Sequence, residues 1–169
     1  PKCFVIYDQL EAPQPSRFSW QFNALLKMEL DEANQTVMIQ QREARLRATH
    51  VLPGGLKYRQ SNEREYELTT RYTEAFPEHW TCWCETAGET EETRLLTVLE
   101  AYKADDGPAI SNLETIETES LIGVAFEVAG ERHRTLFQRD LGAPTRAEVA
   151  GIETDAKCVG VITEARGGG

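Results

Sequence analysis

The sequence predicts an all-β fold, an antiparallel β-sandwich of two packed sheets, and three observations carry that expectation. Residues 17–23 alternate strictly, with Phe18, Trp20 and Phe22 on one side of an extended chain and Arg17, Ser19, Gln21 and Asn23 on the other, the period of two of a half-buried strand. Ten or more short segments of this kind follow one another, punctuated by Gly, Pro, Asn and Asp. No stretch is securely a long helix. The 169 residues read as one domain over 1–164, with a flexible tail or truncation boundary at 165–169.

Taken in order, residues 2–9 form a strand with Phe4 and Ile6 on one face and Cys3, Val5 and Tyr7 on the other. Pro13 and Pro15 mark 10–16 as a connection, because proline removes a ladder donor and restricts the residue before it. The aromatic strand follows; 24–30 reads equally as a short helix or as its extension. After a turn at 31–34, residues 36–39 and 43–52 are strands ended by Pro53-Gly54-Gly55, and the chain resumes at 56–58. Tyr66, Leu68, Thr70 and Tyr72 mark another strand, and 79–84 is a short one rich in His, Trp and Cys. Residues 85–92 form an acidic turn. The run 94–102 is apolar on both faces and reads as a central strand, whereas the carboxylates of 110–119 suit an exposed edge. Residues 121–128 and 131–138 flank Ala129-Gly130 as a hairpin, and strands at 145–152 and 156–164 close the domain.

Composition narrows the function. Twenty-eight acidic against 18 basic residues give a formal charge of -10, which argues against docking on nucleic acid or an anionic membrane. No run of 18 apolar residues offers a membrane span, and the opening apolar run is too short for a secretory signal. The absent initiator Met and the immediate strand fit an excised piece of a longer chain. Four cysteines, Cys3, Cys82, Cys84 and Cys158, are too few to define a disulfide scaffold, and a domain of this size needs none.

Several residues carry chemistry. Cys82 and Cys84, joined by His50, His79 or His133 through folding, offer thiolate and imidazole donors for zinc, although the spacing is not that of a paired-cysteine clamp and buried or spectator thiols are the preferred reading. No local base makes either cysteine a nucleophile. Arg17, Arg45, Arg47, Arg64 and Arg71 could neutralise sulfate or carboxylate groups if their strands converge; Gln21 and Asn23 add hydrogen-bonding tips, His50 a polar group for an interdomain cleft, and Trp80 and Trp83 stacking platforms for sugar rings. Tyr58, Tyr66 and Tyr72 suit packing better than acid catalysis. Residues 52–56 lack the pattern of a phosphate-binding loop.

The run from Phe4 to Asp8, the proline-containing connection, the segment from Phe18 to Asn23, Ala48-Thr49-His50-Val51-Leu52-Pro53 and the apolar stretch from Leu95 to Leu99 together resemble the carboxyl-terminal β domain of the heparinase II/III-like polysaccharide lyases, in order over residues 3–139. The resemblance implies a noncatalytic accessory β-sandwich packed against an α/α-toroid catalytic domain, helping to bind an acidic polysaccharide that the toroid cleaves by β-elimination, within a periplasmic or secreted full-length protein. On this reading the isolated chain is inactive and takes no firm cofactor. Where the family commonly ends this strand in Trp-x-x-His, the chain carries Asn23, which can orient a sugar hydroxyl but cannot ligate metal or move a proton as histidine does. The alternatives are a free-standing carbohydrate-binding or protein-interaction module and a metal-dependent enzyme using the Cys/His-rich region.

Overall fold

A computed structural model describes residues 2–63, 79–143, 145–149 and 151–164; the strand expected around Tyr66–Tyr72, with Arg64 and Arg71, lies outside them. Among the described residues all regular structure is β, and every strand pairing is antiparallel. The chain divides into two compact units, Pro1–Gly107 and Pro108–Gly169. Where the sequence predicts two sheets, the described strands form four separate open ones.

The first unit contains β1 (Lys2–Ser16), β2 (Ser19–Ala24), β3 (Glu29–Asp31), β4 (Thr36–Gln41), β5 (Ala44–Leu52), β6 (Lys57–Ser61), β7 (Trp80–Glu85) and β8 (Thr90–Lys103). They build a five-stranded sheet in the order β1-β8-β5-β4-β3 and a three-stranded sheet in the order β2-β7-β6. The central position expected for 94–102 is observed: β8 pairs with both β1 and β5, and Leu95, Leu96, Thr97 and Val98 are buried in succession. Residues 24–30 hold no helix; they turn from β2 into the short β3.

Two expectations fail at proline and in the acidic stretch. The strand β1 runs through Pro13 and Pro15 to Ser16 instead of stopping near Gln9. It stands at the end of the sheet order, and its register with β8 shifts between Glu11 and Ser16. An edge strand with an irregular ladder has no need of the donor that proline lacks. The acidic turn is also shorter than predicted, because β8 already begins at Thr90.

Alternation places the sheet interiors. Trp20, Phe22 and Ala24 of β2, Tyr58 of β6 and Trp80, Cys82 and Cys84 of β7 meet Leu30, Val37, Ile39, Ala48 and Leu99 of the larger sheet, with Met28 and Leu56 from the connecting loops, in one hydrophobic core. Burying each large apolar side chain there contributes roughly 1.5–3 kcal/mol. The two loop residues are tied in by side-chain amides that imitate a neighbouring strand: Gln60 bonds both the N–H and the carbonyl of Met28, and Gln35 does the same for Leu56.

The second unit comprises β9 (Ser111–Glu117), β10 (Leu121–Val128), β11 (Glu131–Gln138), β12 (Ala147–Val149), β13 (Ile152–Thr154) and β14 (Cys158–Glu164). The order β14-β11-β10-β9 puts the carboxylate-rich β9 at an edge, as its composition predicts. Ala129 and Gly130, with φ of 53° and 80°, make the two-residue hairpin turn between β10 and β11. Residues 145–152 split into two parts of a small hairpin, β12 and β13, turning at Gly151. Leu121 and Leu136 centre a core flanked by Ile116, Ala147, Val159 and Val161.

Candidate functional site

The polar row of the aromatic strand acquires its neighbours through the pairing of β2, β7 and β6. Gln21, Trp83 and Arg59 stand side by side across the three strands, flanked by Ser19, Glu85 and Lys57 on one side and Asn23, Thr81 and Ser61 on the other. Because Trp20, Phe22, Tyr58, Cys82 and Cys84 fill the core, these nine residues occupy the opposite face. Ser19, Gln21, Asn23, Lys57 and Arg59 are exposed.

Trp83 itself is only 8% exposed. The Arg59 guanidinium lies over its ring, 3.9 Å from the centroid, an arrangement stabilised by cation–π attraction. Glu85 Oε1 accepts from Arg59 Nε and Nη2 at 3.4 and 3.2 Å, which tethers the guanidinium over the indole. The Arg59 side chain stays 55% exposed, so the group that meets solvent here is the guanidinium rather than the indole. Beside it, Thr81 Oγ1 donates to Asn23 Oδ1 at 2.8 Å, orienting the amide. At the strand end, Glu32 accepts from the Tyr58 N–H at 3.3 Å and from Lys57 Nζ at 3.4 Å. These bonds hold its carboxyl below the usual carboxylate range. The surface therefore offers amide, hydroxyl and guanidinium tips in fixed positions, the donor types that bind sugar hydroxyls and carboxylates.

The other residues singled out in the sequence are distributed elsewhere. Arg17 is exposed just ahead of β2. Arg45 and Arg47 lie on β5, on the face of the large sheet opposite to Ala48 and His50; Arg45 bonds Gln40, and Arg47 Nη2 reaches Glu100 Oε2 at 2.7 Å, where the carboxylate side chain is 1% exposed. Arg45 and Arg47 share one face of β5, and Arg47 is engaged in an ion pair with the buried Glu100 carboxylate. Arg71 falls outside the described residues. Trp80 is half-buried at the core margin with Lys27 Nζ 5.3 Å from its ring centroid.

His50 is 3% exposed and boxed by the rings of Trp20, Phe22 and Tyr58 at centroid distances of 5.4, 5.8 and 5.7 Å. Its Nδ1 is 3.0 Å from Thr97 Oγ1. Burial lowers its pKa to about 4, so the imidazole is neutral at pH 7. It is a core group rather than a cleft group. Its Nε2 and the Tyr58 hydroxyl are buried with no hydrogen-bond partner among the described residues, and burial raises the Tyr58 phenol further above its ordinary range.

Of the predicted metal ligands, only two are brought together. Cys82 and Cys84 are buried with their sulfurs 3.9 Å apart. His79 is exposed ahead of β7. His133 belongs to the second unit, stacked on Phe126 with centroids 5.4 Å apart and with Nε2 3.4 Å from Glu131 Oε2. Among the described residues no three His, Cys, Asp or Glu side chains gather as a metal site, and no helix is long and apolar enough to cross a membrane.

Arg59 is the residue that sequence reasoning missed. Its position opposite Tyr58 in the alternation of β6 was readable; its seat on Trp83 was not, because that depends on which strands pair. Neither a protein-family model nor a curated protein matches this sequence.

Proposed function

We propose that this chain is the noncatalytic accessory domain of a heparinase II/III-like polysaccharide lyase, acting beside an α/α-toroid and helping to hold its acidic glycan. The shared core between the three-stranded and five-stranded sheets supports reading Pro1–Gly107 as a sandwich of two packed sheets. The observation that carries the functional part is the row Gln21–Trp83–Arg59, in which the guanidinium over the central indole shares a face with an exposed amide. Such a group attracts a uronate carboxylate through a charge-assisted hydrogen bond. Among the described residues Glu85 accepts from Nε and Nη2, and Nη1 is the nitrogen that donates to a ligand oxygen. Asn23 and Gln21 then contact ring hydroxyls.

On this reading the domain positions substrate, and the toroid supplies the base and acid of β-elimination. The test is binding of uronate-containing oligosaccharides to the purified chain, measured by calorimetry at two salt concentrations. Binding that weakens with salt and falls ~10-fold or more in Arg59→Ala supports the reading. Binding indifferent to Arg59→Ala removes the assigned surface, and release of unsaturated product by the isolated chain overturns the noncatalytic role. A free-standing carbohydrate-binding module would use the same face. Loss of lyase activity on deleting residues 1–169 from a complete polypeptide that contains a toroid favours the accessory domain over that module.

A further inference from the structure

Cys82 and Cys84 are second neighbours on β7, so their side chains leave the strand on the same face, toward the core. Both are essentially closed to solvent, at 0% and 1% exposure, and their sulfurs touch at 3.9 Å. Three uses of such a pair differ in the geometry they require. A disulfide needs its Cβ atoms about 3.5–4.5 Å apart and its sulfurs at about 2.05 Å. Second neighbours on an extended strand are spaced at about 6.6 Å, so closing that bond would buckle β7 in the middle of its sheet. A structural zinc ion needs four ligands at about 2.0–2.3 Å, and no third His, Cys, Asp or Glu joins the pair among the described residues.

A metal ion between two thiolates is different. With metal–sulfur bonds of about 2.3 Å, the two sulfurs stand roughly 3.8 Å apart when the angle at the metal is tetrahedral and roughly 4.6 Å apart when it is straight. The observed 3.9 Å lies inside that interval, and reaching the straight arrangement takes rotation of two side chains with the backbone in place. Soft thiolates without harder donors select a soft ion, Cu(I) foremost. We infer that Cys82 and Cys84 form a two-thiolate site for a soft monovalent cation such as Cu(I), set in the core between β7 and the larger sheet.

Binding replaces two S–H bonds by two S–Cu bonds and releases two protons, with no change of oxidation state. The bound group carries a single negative charge. Trp20, Phe22 and Leu99 of the same core keep water from the ion, and Tyr58 is the polar side chain packed among them. The site is independent of the glycan-binding reading, since its donors face the core and the glycan face lies on the other side of β7.

The test loads the chain, in a Cys3→Ser/Cys158→Ser background, with Cu(I) held in acetonitrile under oxygen-free conditions, followed by desalting and native mass spectrometry. One copper per chain is expected, with loss of binding in Cys82→Ser and again in Cys84→Ser. X-ray absorption at the copper edge reads the site without relying on those variants to fold: two sulfur neighbours and no nitrogen or oxygen neighbour are expected. Failure to retain copper, retention in either serine variant, a coordination shell containing nitrogen, or a mass loss of two hydrogens from an 82–84 disulfide in place of copper would each overturn the assignment.

Discussion

Gln60 closes both backbone hydrogen bonds of Met28: the Met28 N–H donates to Gln60 Oε1 at 3.0 Å, and Gln60 Nε2 donates to the Met28 carbonyl at 2.8 Å. The side-chain amide thus stands in for a strand that the loop between β2 and β3 does not have. Met28 is 3% exposed, so its peptide groups would otherwise be stripped of water without a partner. Gln138 clamps Thr145 through the same two bonds in the second unit.

Gln60→Ala is expected to destabilise the first unit by about 2–3 kcal/mol, since it orphans a buried donor and a buried acceptor together. Gln60→Glu retains the acceptor and loses the donor, and should cost less than the alanine. Urea unfolding followed by tryptophan fluorescence measures both; equal costs for the two variants would refute the two-bond account.

His50 makes stability depend on pH. Its folded pKa, about 4, lies below the ordinary 6.5 because burial opposes the charged ring. The unfolded chain therefore binds the proton first, and the contribution of neutral His50 is fully present above about pH 6.5 and is lost as pH falls toward about 4. The loss amounts to about 3 kcal/mol at most. In His50→Gln the slope of unfolding free energy against pH should flatten across that window; an unchanged slope would assign it to other groups.

The Arg47–Glu100 pair should respond asymmetrically to truncation. The Glu100 side chain is 1% exposed and Arg47 25%. Arg47→Ala leaves a carboxylate in the interior and is expected to cost about 3–5 kcal/mol, whereas Glu100→Ala leaves a guanidinium that can turn to water and should cost less. The double variant Arg47→Met/Glu100→Leu should recover most of the loss. Denaturant midpoints decide the order, and a larger cost for Glu100→Ala would reverse the argument.

Gly123 tolerates no side chain. A Cβ there would overlap the Thr135 carbonyl oxygen and lie 2.8 Å from Leu136 Cα. These are backbone atoms of the partner strand β11, so neither can step aside without opening the β10–β11 ladder. Gly123→Ala is expected to cost about 3 kcal/mol and to raise amide exchange along β10 and β11 in the second unit. Gly160→Ala, where nothing lies within 4 Å of the added atom, should be close to neutral and serves as the control.

Local patterns carried much of this into the sequence reading. Trp20 and Phe22 do line a core, β8 is buried on successive residues, β9 is an edge, and the turn at Ala129-Gly130 joins β10 to β11. The misreadings came where local signals compete with position in a sheet. Pro13 and Pro15 argue against a strand only if its ladder must be complete, and at the end of the sheet order it need not be. That Cys82 and Cys84 share a face follows from their spacing, but that their sulfurs come within 3.9 Å in a closed core does not.

What the amino-acid sequence determined by itself is the class of structure and which side chains share a face, because a period of two is written into neighbouring residues. What only the tertiary structure decided is which faces meet: that Arg59 comes to rest on Trp83, that Arg47 spends its charge on Glu100, and that His50 ends in an aromatic box. Each depends on strand order and register between segments far apart in the chain, and a register shift of one residue would turn every one of those side chains to the opposite face.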